Sequence, residues 1–541
     1  MSERIGAADL KEWLHDGREI ALLDVREHGE YGEAHPFYGV SLPYSRFEAE
    51  LERLVPRPTA RMVVYDDGAS GVAERAAERA RGLGYTDVRV LEGGTAGWAQ
   101  QGYRLFAGVN VVSKAFGEIA ERAYHTPSIS AEELHARLAR GEDIVVLDGR
   151  PVDEYRKMNI PGSVCCPNGE LVYRIRDLVP DAETTVVINC AGRTRSIIGA
   201  QTLRNFGIRN NVLALRNGTM GWRLAGLELE HGSNRLYPRV PERTSVGELR
   251  RRAVQLAERW AVPRIDAQTV AAWLSEPDRT TYVLDVRTPE EFAEGHLAGA
   301  VHAPGGQLVQ ATDHWLAVRN ARVVLVDDTE VRAIMTASWL RQMGWDAVAL
   351  ADGMEAWRTL EGRVPVPYRA DGALPRPPEV GPVELAARMR GGSPLLLVDI
   401  RASKAYRAAH VAGARWAIRP RADQALPKGS EREPVVLIAD EIGKARCFAQ
   451  ELCGMGFAVP ELLTGAPEQW TAAGLPVEST PDDPPDAACI DYLFFVHDRH
   501  DGNLDAARRY LEWETGLLDQ IDARERAAFR PFAQESADAP A

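Results

Sequence analysis

The chain has 541 residues, which is too long for one hydrophobic core and predicts roughly three to five domains. Hydrophobic residues make up 45% of it and charged residues 26%, an ordinary balance for a globular protein, and no run approaches the roughly 20 apolar residues of a membrane span. The net charge of -14 argues against a nucleic-acid or anionic-membrane binder, because both need a basic surface.

The N-terminus and the cysteines indicate the compartment. The first residues lack the basic and apolar regions of a signal peptide, so we expect a cytoplasmic protein. Six cysteines in so long a chain do not form a disulfide framework, and a reducing cytoplasm would keep them as thiols. Their spacing lacks the two short-spaced pairs that are typical of a structural zinc site, so no metal site is predicted.

One sequence unit with markers in a fixed order occurs four times along the chain. Its first marker is an apolar run that ends in Asp-x-Arg, at 22–26, 146–150, 283–287 and 397–401. A turn follows at 33–36, 159–162, 296–299 and 410–413. A second short apolar run then occurs at 62–65, 186–189, 323–326 and 435–438. Such β-branched runs, each followed by a helical pattern, predict buried parallel strands of an α/β sheet.

A turn that carries a tryptophan closes each unit, at 93–98, 217–222, 352–357 and 465–470. Together, the Asp-x-Arg strand, the Gly-containing turn, the strand before a loop and the Gly-x-x-x-Trp turn resemble the rhodanese family. The resemblance implies four tandem α/β domains, each a small central parallel sheet flanked by helices, plus a short C-terminal α+β tail. It also places an active loop at the carboxyl end of a strand, where open α/β sheets bind ligands.

The resemblance and the flanking patterns divide the chain into six segments. They are rhodanese-like domains at 1–107, 126–232, 264–365 and 379–478 (domains one to four), a connecting segment at 233–263 and a tail at 486–541. Apolar spacing predicts a helix over 244–260, and 365–382 is typical of a proline-rich linker. The tail predicts a strand at 492–496 and an amphipathic helix at 504–529.

The second strands align so that one residue of each unit takes the position of the family's nucleophile. A sulfurtransferase of this family carries sulfane sulfur as a cysteine persulfide, which needs a polarizable thiolate. Only domain two supplies a thiol there, so domains one, three and four are expected to be inactive. The four aligned residues are Asp66, Cys190, Asp327 and Ala439.

The residues after Cys190 support an anion site. Backbone N–H groups of a tight loop and the N-terminus of the next helix form an anion-binding cradle. Arg193 and Arg195 add positive charge, Gly192 permits a tight backbone, and Ser196 is placed to cap the helix. We predict Cys190 and Arg195 as catalytic residues. The predicted substrate-binding residues are Ala191, Gly192, Arg193, Thr194 and Ser196.

Two blander interpretations stay open for this loop. A buried, inert thiol is the common fate of a free cysteine such as Cys190. Arg193 is equally compatible with a solvated surface arginine.

The resemblance implies double displacement. Cys190 takes sulfur from a small anionic donor such as thiosulfate or a persulfide, and cyanide, a thiol or a protein thiol then removes it, with no metal or organic cofactor. One alternative is a Cdc25-like phosphatase or arsenate reductase, whose loop has five residues between Cys and Arg, whereas four separate Cys190 from Arg195. Another is a non-enzymatic scaffold or sulfur-sensing protein, which three degenerate loops favour.

The remaining motifs have structural readings beside functional ones. Cys165 and Cys166 fit small buried residues or a sulfur relay, and the other cysteines are taken as structural: Cys447, Cys453 and Cys489. The acids of the degenerate loops are expected to repel thiosulfate. In the tail, 497–501 has the composition of metal ligands, but a polar partner-contacting loop is favoured because no further ligand lies nearby. The tail's apolar content predicts packing on a rhodanese-like domain or on a second copy of the chain in a homo-oligomer.

Overall fold

A computed structural model of the chain describes residues 3–240, 245–365, 374–392, 394–494 and 503–532. The chain forms two compact units. The first unit comprises 1–13, 20–109 and 367–494, and the second comprises 14–19, 110–366 and 495–541. The first and fourth domains therefore share one unit, and the second and third share the other.

Each domain has a parallel sheet in which the spatial order of its five strands is first, fifth, fourth, second, third. The strands of domain one are Arg4–Ile5, Ile20–Asp24, Val40–Ser41, Met62–Tyr65 and Val88–Leu91, and those of domain two are Ser128–Ile129, Ile144–Asp148, Val164–Cys165, Thr185–Asn189 and Val212–Leu215. The strands of domain three are Arg264–Ile265, Thr281–Asp285, Val301–His302, Arg322–Val326 and Asp346–Leu350, and those of domain four are Glu379–Val380, Leu396–Asp399, Arg415–Trp416, Val435–Ile438 and Glu461–Leu463. Further short strands are Val318–Arg319 and the antiparallel pair His410–Val411 and Val477–Glu478.

Helices flank every sheet, as the predicted fold class requires. In domains one and two they are Ala7–Trp13, His28–Glu33, Phe47–Leu54, Val72–Gly82, Gly94–Gln100, Ala131–Ala139, Val152–Lys157, Leu171–Leu178, Thr194–Phe206 and Gly218–Leu224. In domains three and four they are Ala267–Leu274, Pro289–Glu294, Gly305–Gln310, Val331–Gln342, Gly353–Leu360, Pro382–Arg390, Ser403–Ala408, Ala422–Ala425, Ile442–Gly454 and Pro467–Ala472. Outside the domains lie Val111–Tyr124 (the bridging helix), Val246–Arg259, Leu504–Thr515 (the C-terminal helix) and Ala523–Ala527. Short 3-10 turns are Tyr44–Arg46, Thr312–His314, Arg419–Arg421, Asp486–Ala488 and Leu517–Asp519.

The predictions outside the domains have mixed outcomes. The connecting helix is confirmed as Val246–Arg259. Part of the predicted linker, 366–373, lies outside the described residues, and the remainder already contains the first strand of domain four. The bridging helix was not predicted, although its buried alanines, glycine and phenylalanine lie at helical spacing.

The tail differs from its prediction. The strand over 492–496 is wrong for 492–494, which form no strand, and the rest of it lies outside the described residues together with the metal-like segment 497–501. The single helix over 504–529 is also wrong. The first helix ends at Thr515 before Gly516, and a second begins after Asp522, whose side chain caps it by accepting a hydrogen bond from the N–H of Glu525.

The Asp-x-Arg marker forms a buried ion pair in all four domains. In domain two, Arg150 donates to both carboxylate oxygens of Asp148, at 2.9 and 2.7 Å, and also to the carbonyl oxygen of Met158 at 2.6 Å. The other three arginines make the same double contact and reach the carbonyl eight residues further along. The pair thus fixes the turn marker to the end of the second strand.

Domains two and three pack through Gly169 and Gly306, which occupy equivalent positions in the two domains. A Cβ atom on Gly306 would lie 2.8 Å from the backbone nitrogen of Gly169, so only glycine permits this approach. The contact brings Gln307 of domain three next to domain two, where its side chain accepts a hydrogen bond from Arg195.

Substituting Asp285 by asparagine tests the structural role of the Asp-x-Arg pair. The change leaves the Arg287 guanidinium buried without its carboxylate, which destabilises a folded domain by about 3 kcal/mol. We expect urea unfolding of the full chain to show this loss in the transition of domain three. Asp505→Asn removes an exposed pair with Arg508 and serves as the matched control, which should leave the unfolding curve unchanged. Equal effects of the two substitutions would contradict the assigned role.

Candidate active site

Strand register shows which residue begins the loop in each domain. The aspartate of Asp-x-Arg pairs with the last residue of the fourth strand in all four sheets: Asp24 with Tyr65, Asp148 with Asn189, Asp285 with Val326 and Asp399 with Ile438. The residue that follows each partner begins the loop: Asp66, Cys190, Asp327 and Ala439. The structure therefore gives the same equivalence as the sequence alignment, and residues 190–196 are called the active loop below.

The closing turn of domain two forms hydrogen bonds with the first two residues of the active loop. The N–H of Thr219 donates to the carbonyl oxygen of Cys190 at 2.8 Å, and that of Met220 to Ala191 at 3.1 Å. Gly218 has a φ of +53°, and a Cβ atom there would lie 2.2 Å from the Cys190 oxygen. Glycine is required by the close approach, so this marker supports the loop as well as the core.

The Cys190 thiol is almost completely buried at 2% exposure. Its Sγ donates to the Ser196 hydroxyl at 3.6 Å, and that hydroxyl donates to the carbonyl oxygen of Arg193 at 2.8 Å. The prediction that Ser196 caps the helix is wrong, because the helix begins at Thr194 and Ser196 lies inside its first turn. Ser196 instead gives the sulfur a hydroxyl partner.

The backbone N–H groups of the active loop bear on the predicted anion cradle. Among the described residues, none accepts a hydrogen bond from the N–H groups of residues 191–196. Buried backbone donors are nearly always paired, so these groups suit an acceptor that binds between them.

Two of the three degenerate loops contain their own acceptor. In domain one, the carboxylate of Asp66 accepts hydrogen bonds from the N–H groups of Gly68 and Ala73, at 2.8 and 3.1 Å. In domain three, Asp327 accepts from Glu330 and Arg332, at 2.5 and 3.0 Å. Each aspartate thus supplies an acceptor from within its own loop, and its charge is also expected to repel thiosulfate. Burial raises the pKa of Asp327 to about 6.

Arg195 is held beside the thiol by an ion pair. Both terminal nitrogens of its guanidinium donate to Glu154 at 2.8 Å, and one of them also donates to Gln307 at 3.3 Å. Burial opposes the charge of Arg195, but Glu154 and the sulfur of Cys190 outweigh it and raise the arginine's pKa. Arg195 is therefore a permanent cation that interacts with Cys190.

Arg193 points to the bridging helix. Its guanidinium donates to Glu118 at 2.7 and 2.9 Å and also to Glu121. The interpretation of Arg193 as a solvated arginine is wrong, since only 11% of its side chain is exposed. Its side chain anchors the loop to the bridging helix.

The two loops that meet at the contact between domains two and three differ in one charge. Arg332 is the domain-three equivalent of Arg195, and it pairs with Glu291 and with Glu170 from domain two. Gln307 is the equivalent of Glu170, as their equal separation from the aligned loops shows. Arg195 therefore meets a neutral amide from the neighbouring domain, where Arg332 meets a carboxylate.

Gly192 lies in close contact with other side chains, and its φ lies outside the left-handed region. A Cβ atom there would lie 2.8 Å from Met220 Cε, 3.1 Å from Glu514 Oε2 and 3.5 Å from Tyr510 Cε1. The expectation that Gly192 supplies backbone freedom is thus replaced by close packing. The C-terminal helix covers the loop. The tail therefore packs on domain two, which is the first of its two predicted arrangements, packing on a rhodanese-like domain.

Several residues near the loop were missed by sequence reasoning. Thr194 donates to Glu514 at 2.8 Å, and Lys114 lies 3.6 Å from the same carboxylate oxygen. Lys114 and Glu118 are four residues apart in the bridging helix, and both are buried. Charged residues at that spacing among buried alanines were the signal that could have revealed this helix face.

Burial is the largest influence on three of the other cysteines. Burial raises the pKa of Cys165 and of Cys447 to about 12, and it raises that of Cys166 well above its ordinary value. Across the part of the chain that the structure describes, no group of three or more His, Cys, Asp or Glu side chains could hold a metal ion. No helix within the described ranges is both long and apolar enough to cross a membrane.

Alkylation of the native chain tests these thiol environments. At pH 8, a thiol with a pKa near 12 is almost entirely protonated and does not react, because the thiolate is the nucleophile. We expect iodoacetamide and peptide mapping to leave Cys165, Cys166 and Cys447 unmodified until the protein is unfolded. Half-buried Cys453 reports that the reagent is active. Rapid labelling of Cys165 in the folded chain would contradict the prediction.

Comparison with known proteins agrees with this architecture. A crystal structure of thiosulfate sulfurtransferase from Pseudomonas aeruginosa is 44% identical, covers 98% of this chain and 100% of its own, and has a TM-score of 0.86. YrkF of Bacillus subtilis, provisionally named a sulfur carrier protein, is 31% identical over 103 residues, or 19% of this chain and 54% of YrkF. The HTH-type transcriptional regulator Rv0324 of Mycobacterium tuberculosis is 31% identical over 136 residues, or 24% of this chain and 59% of the regulator. The chain thus spans little more than half the length of these two relatives.

The family assignment follows from four separate matches. The model of the rhodanese-like domain matches residues 6–101, 130–225, 266–360 and 381–473. These ranges contain the strand, active-loop and closing-turn markers of all four repeats. The chain belongs to the rhodanese family and carries four rhodanese-like domains in tandem.

Proposed function

We propose that the protein is a sulfurtransferase that moves sulfane sulfur from thiosulfate, or from a persulfide, to a thiophilic acceptor through a persulfide on Cys190. The observation behind this proposal is that the thiol stands at the start of a loop whose backbone N–H groups have no acceptor among the described residues. The similarity to a structure named thiosulfate sulfurtransferase supports the donor. No metal or organic cofactor takes part, and the six free cysteines suit a reducing cytoplasm.

The first half-reaction loads the sulfur. The Cys190 thiolate attacks the outer sulfur of thiosulfate, a new S–S bond forms, and the old S–S bond breaks with its electron pair leaving on sulfite. The Ser196 hydroxyl, now 3.6 Å from Sγ, turns its proton towards the thiolate. The loop N–H groups and Arg195 stabilise the negative charge on the persulfide and on sulfite.

The second half-reaction unloads the sulfur. A thiophilic acceptor attacks the outer sulfur of the persulfide, and the bond between this sulfur and Sγ breaks so that Cys190 returns as a thiolate. Cyanide, a small thiol and a protein thiol all fit this chemistry. Met220 and Tyr510 crowd Gly192, so the group that enters the site is small.

The loop residues have separate roles in this proposal. Ala191 and Gly192 bind the anion through their backbones, and Gly192 also leaves room for the C-terminal helix. Arg193 and Thr194 hold the loop through Glu118 and Glu514. The phosphatase alternative receives no support from the loop, because it has four residues between its cysteine and Arg195 and binds that arginine to Glu154.

Cys190→Ala tests the sulfur carrier. The wild-type chain is expected to gain the mass of one sulfur after incubation with thiosulfate, and peptide mapping should place it on Cys190. Thiosulfate:cyanide turnover should be lost in Cys190→Ala, because no other loop supplies a thiolate. Cys453→Ser is the control and should keep full turnover. Turnover retained in Cys190→Ala would remove Cys190 from the reaction.

Gln307→Glu tests the contribution of domain three. The new carboxylate would reproduce the charge that Glu170 supplies to Arg332, and it would neutralise Arg195 further. Loading of Cys190 by thiosulfate should slow about tenfold, which corresponds to about 1.4 kcal/mol. Stopped-flow measurement of sulfite release would follow the rate, with Gln268→Glu on an exposed helix position as the control. An unchanged loading rate would show that domain three does not tune the site.

A further inference from the structure

The C-terminal helix places a buried carboxylate over the active loop. The side chain of Glu514 has no solvent exposure, and its Oε1 accepts the hydroxyl hydrogen of Thr194 at 2.8 Å. Lys114 of the bridging helix lies 3.6 Å from the same oxygen. One oxygen of Glu514 is therefore committed to holding the helix on the loop.

The second oxygen of this carboxylate has a different environment. Glu514 Oε2 is buried and has no hydrogen-bond partner among the described residues. It lies 3.1 Å from the point where a side chain on Gly192 would begin, two residues after the nucleophile. A buried acceptor without a donor is costly, so such an atom is typical of a site that receives a proton or a donor from a ligand.

Several charged side chains surround this carboxylate. Lys114 and Arg193 face it as cations, and Glu118, Glu121, Tyr510, Arg195 and the sulfur of Cys190 belong to the same cluster of titratable groups. Burial lowers the pKa of Lys114, but its neighbours Tyr510, Glu514 and Cys190 outweigh burial and hold that pKa above its ordinary value. Lys114 thus remains charged beside Glu514 at neutral pH.

We propose that Glu514 is the general base that takes the proton from a thiol acceptor as it attacks the Cys190 persulfide. This inference rests on the sulfurtransferase function proposed above. The acceptor S–H bond breaks and its proton passes to Glu514 Oε2, while the freed electron pair forms a bond to the outer sulfur. The bond between that sulfur and Sγ breaks, and its pair returns to Cys190 as thiolate. The proton then leaves Glu514 for water, so the cycle needs no further reactant.

The choice of acceptor separates this role from a structural one. Cyanide attacks as an anion and needs no base, whereas a thiol at neutral pH must first lose its proton. Glu514→Gln keeps an oxygen to accept the Thr194 hydrogen bond and removes the base together with the negative charge beside Lys114, and the cyanide reaction reports any structural effect of that lost charge. General bases contribute about 10²-fold or more, so kcat/KM with a thiol should fall by about 10²-fold, while kcat/KM with cyanide should stay within about threefold.

Three further measurements sharpen the test. The thiol reaction of Glu514→Gln should recover at alkaline pH, where the acceptor arrives as thiolate. Lys114→Met should move the acidic limb of the thiol pH–rate profile to higher pH, and Lys114→Arg should leave it in place, because the cation stabilises the carboxylate. Exposed Glu512→Gln on the same helix is the matched control and should behave as wild type.

Each outcome decides one question. Equal losses with cyanide and with thiol in Glu514→Gln would make Glu514 structural and overturn the proposal. If that variant does not fold, Glu514→Asp keeps a carboxylate and should retain cyanide turnover with a partial thiol rate; an unaltered thiol:cyanide ratio in Glu514→Asp and Lys114→Met would equally overturn it. A wild-type chain without turnover on either acceptor would instead refute the sulfurtransferase function itself.

Discussion

The active loop depends on an acceptor for the backbone N–H groups that follow the fourth strand of its sheet. A tight turn from strand to helix directs several such groups to one point, and buried donors need a partner. In domains one and three, a side chain of the loop itself is the acceptor, through the carboxylates of Asp66 and Asp327. Domain two has Cys190 at the same position, and in the proposed function the partner of its N–H groups is the anion that the sulfur carries or attacks.

The loops of the four domains differ in more than their first residue. The close approach of a closing-turn glycine to the loop backbone occurs at Gly94, Gly218 and Gly353, whereas domain four has Ala466 at the equivalent position. The helix after the loop begins four residues after Cys190 and after Asp327, but six residues after Asp66 and three after Ala439. Domain three therefore has the loop most similar to that of domain two, with an aspartate in place of the thiol.

A second constraint is the balance of buried charge around the active loop. Arg195 and Arg193 each have carboxylate partners, and Lys114 is paired with Glu514. These partners come from the bridging helix and the C-terminal helix as well as from domain two, and domain three adds the neutral Gln307. The site is thus built by several segments of the second compact unit, and domain three, which has no thiol at the loop position, takes part in it.

The sequence allowed the fold and the loop to be predicted because both depend on local patterns. The aspartate of Asp-x-Arg pairs with the residue just before the loop in all four sheets, so alignment of the short apolar runs was sufficient to find the nucleophile position. Gln307, Lys114 and Glu514 could not be assigned, because only tertiary packing brings distant segments to the loop. Local rules also failed where packing decides: Gly192 lies in close contact with other side chains, and Ser196 lies within the first turn of the helix it was expected to cap. The tail helix was predicted too long because a single Gly516 within an apolar pattern gave a weak stop signal.

The proposed function requires that the active loop binds a persulfide on Cys190. A crystal structure of the thiosulfate-treated protein tests it most directly. We predict density for one added sulfur on Cys190 Sγ, within hydrogen-bonding distance of the N–H groups of residues 191–196. An unmodified Cys190, or an added sulfur on another cysteine, would contradict the account.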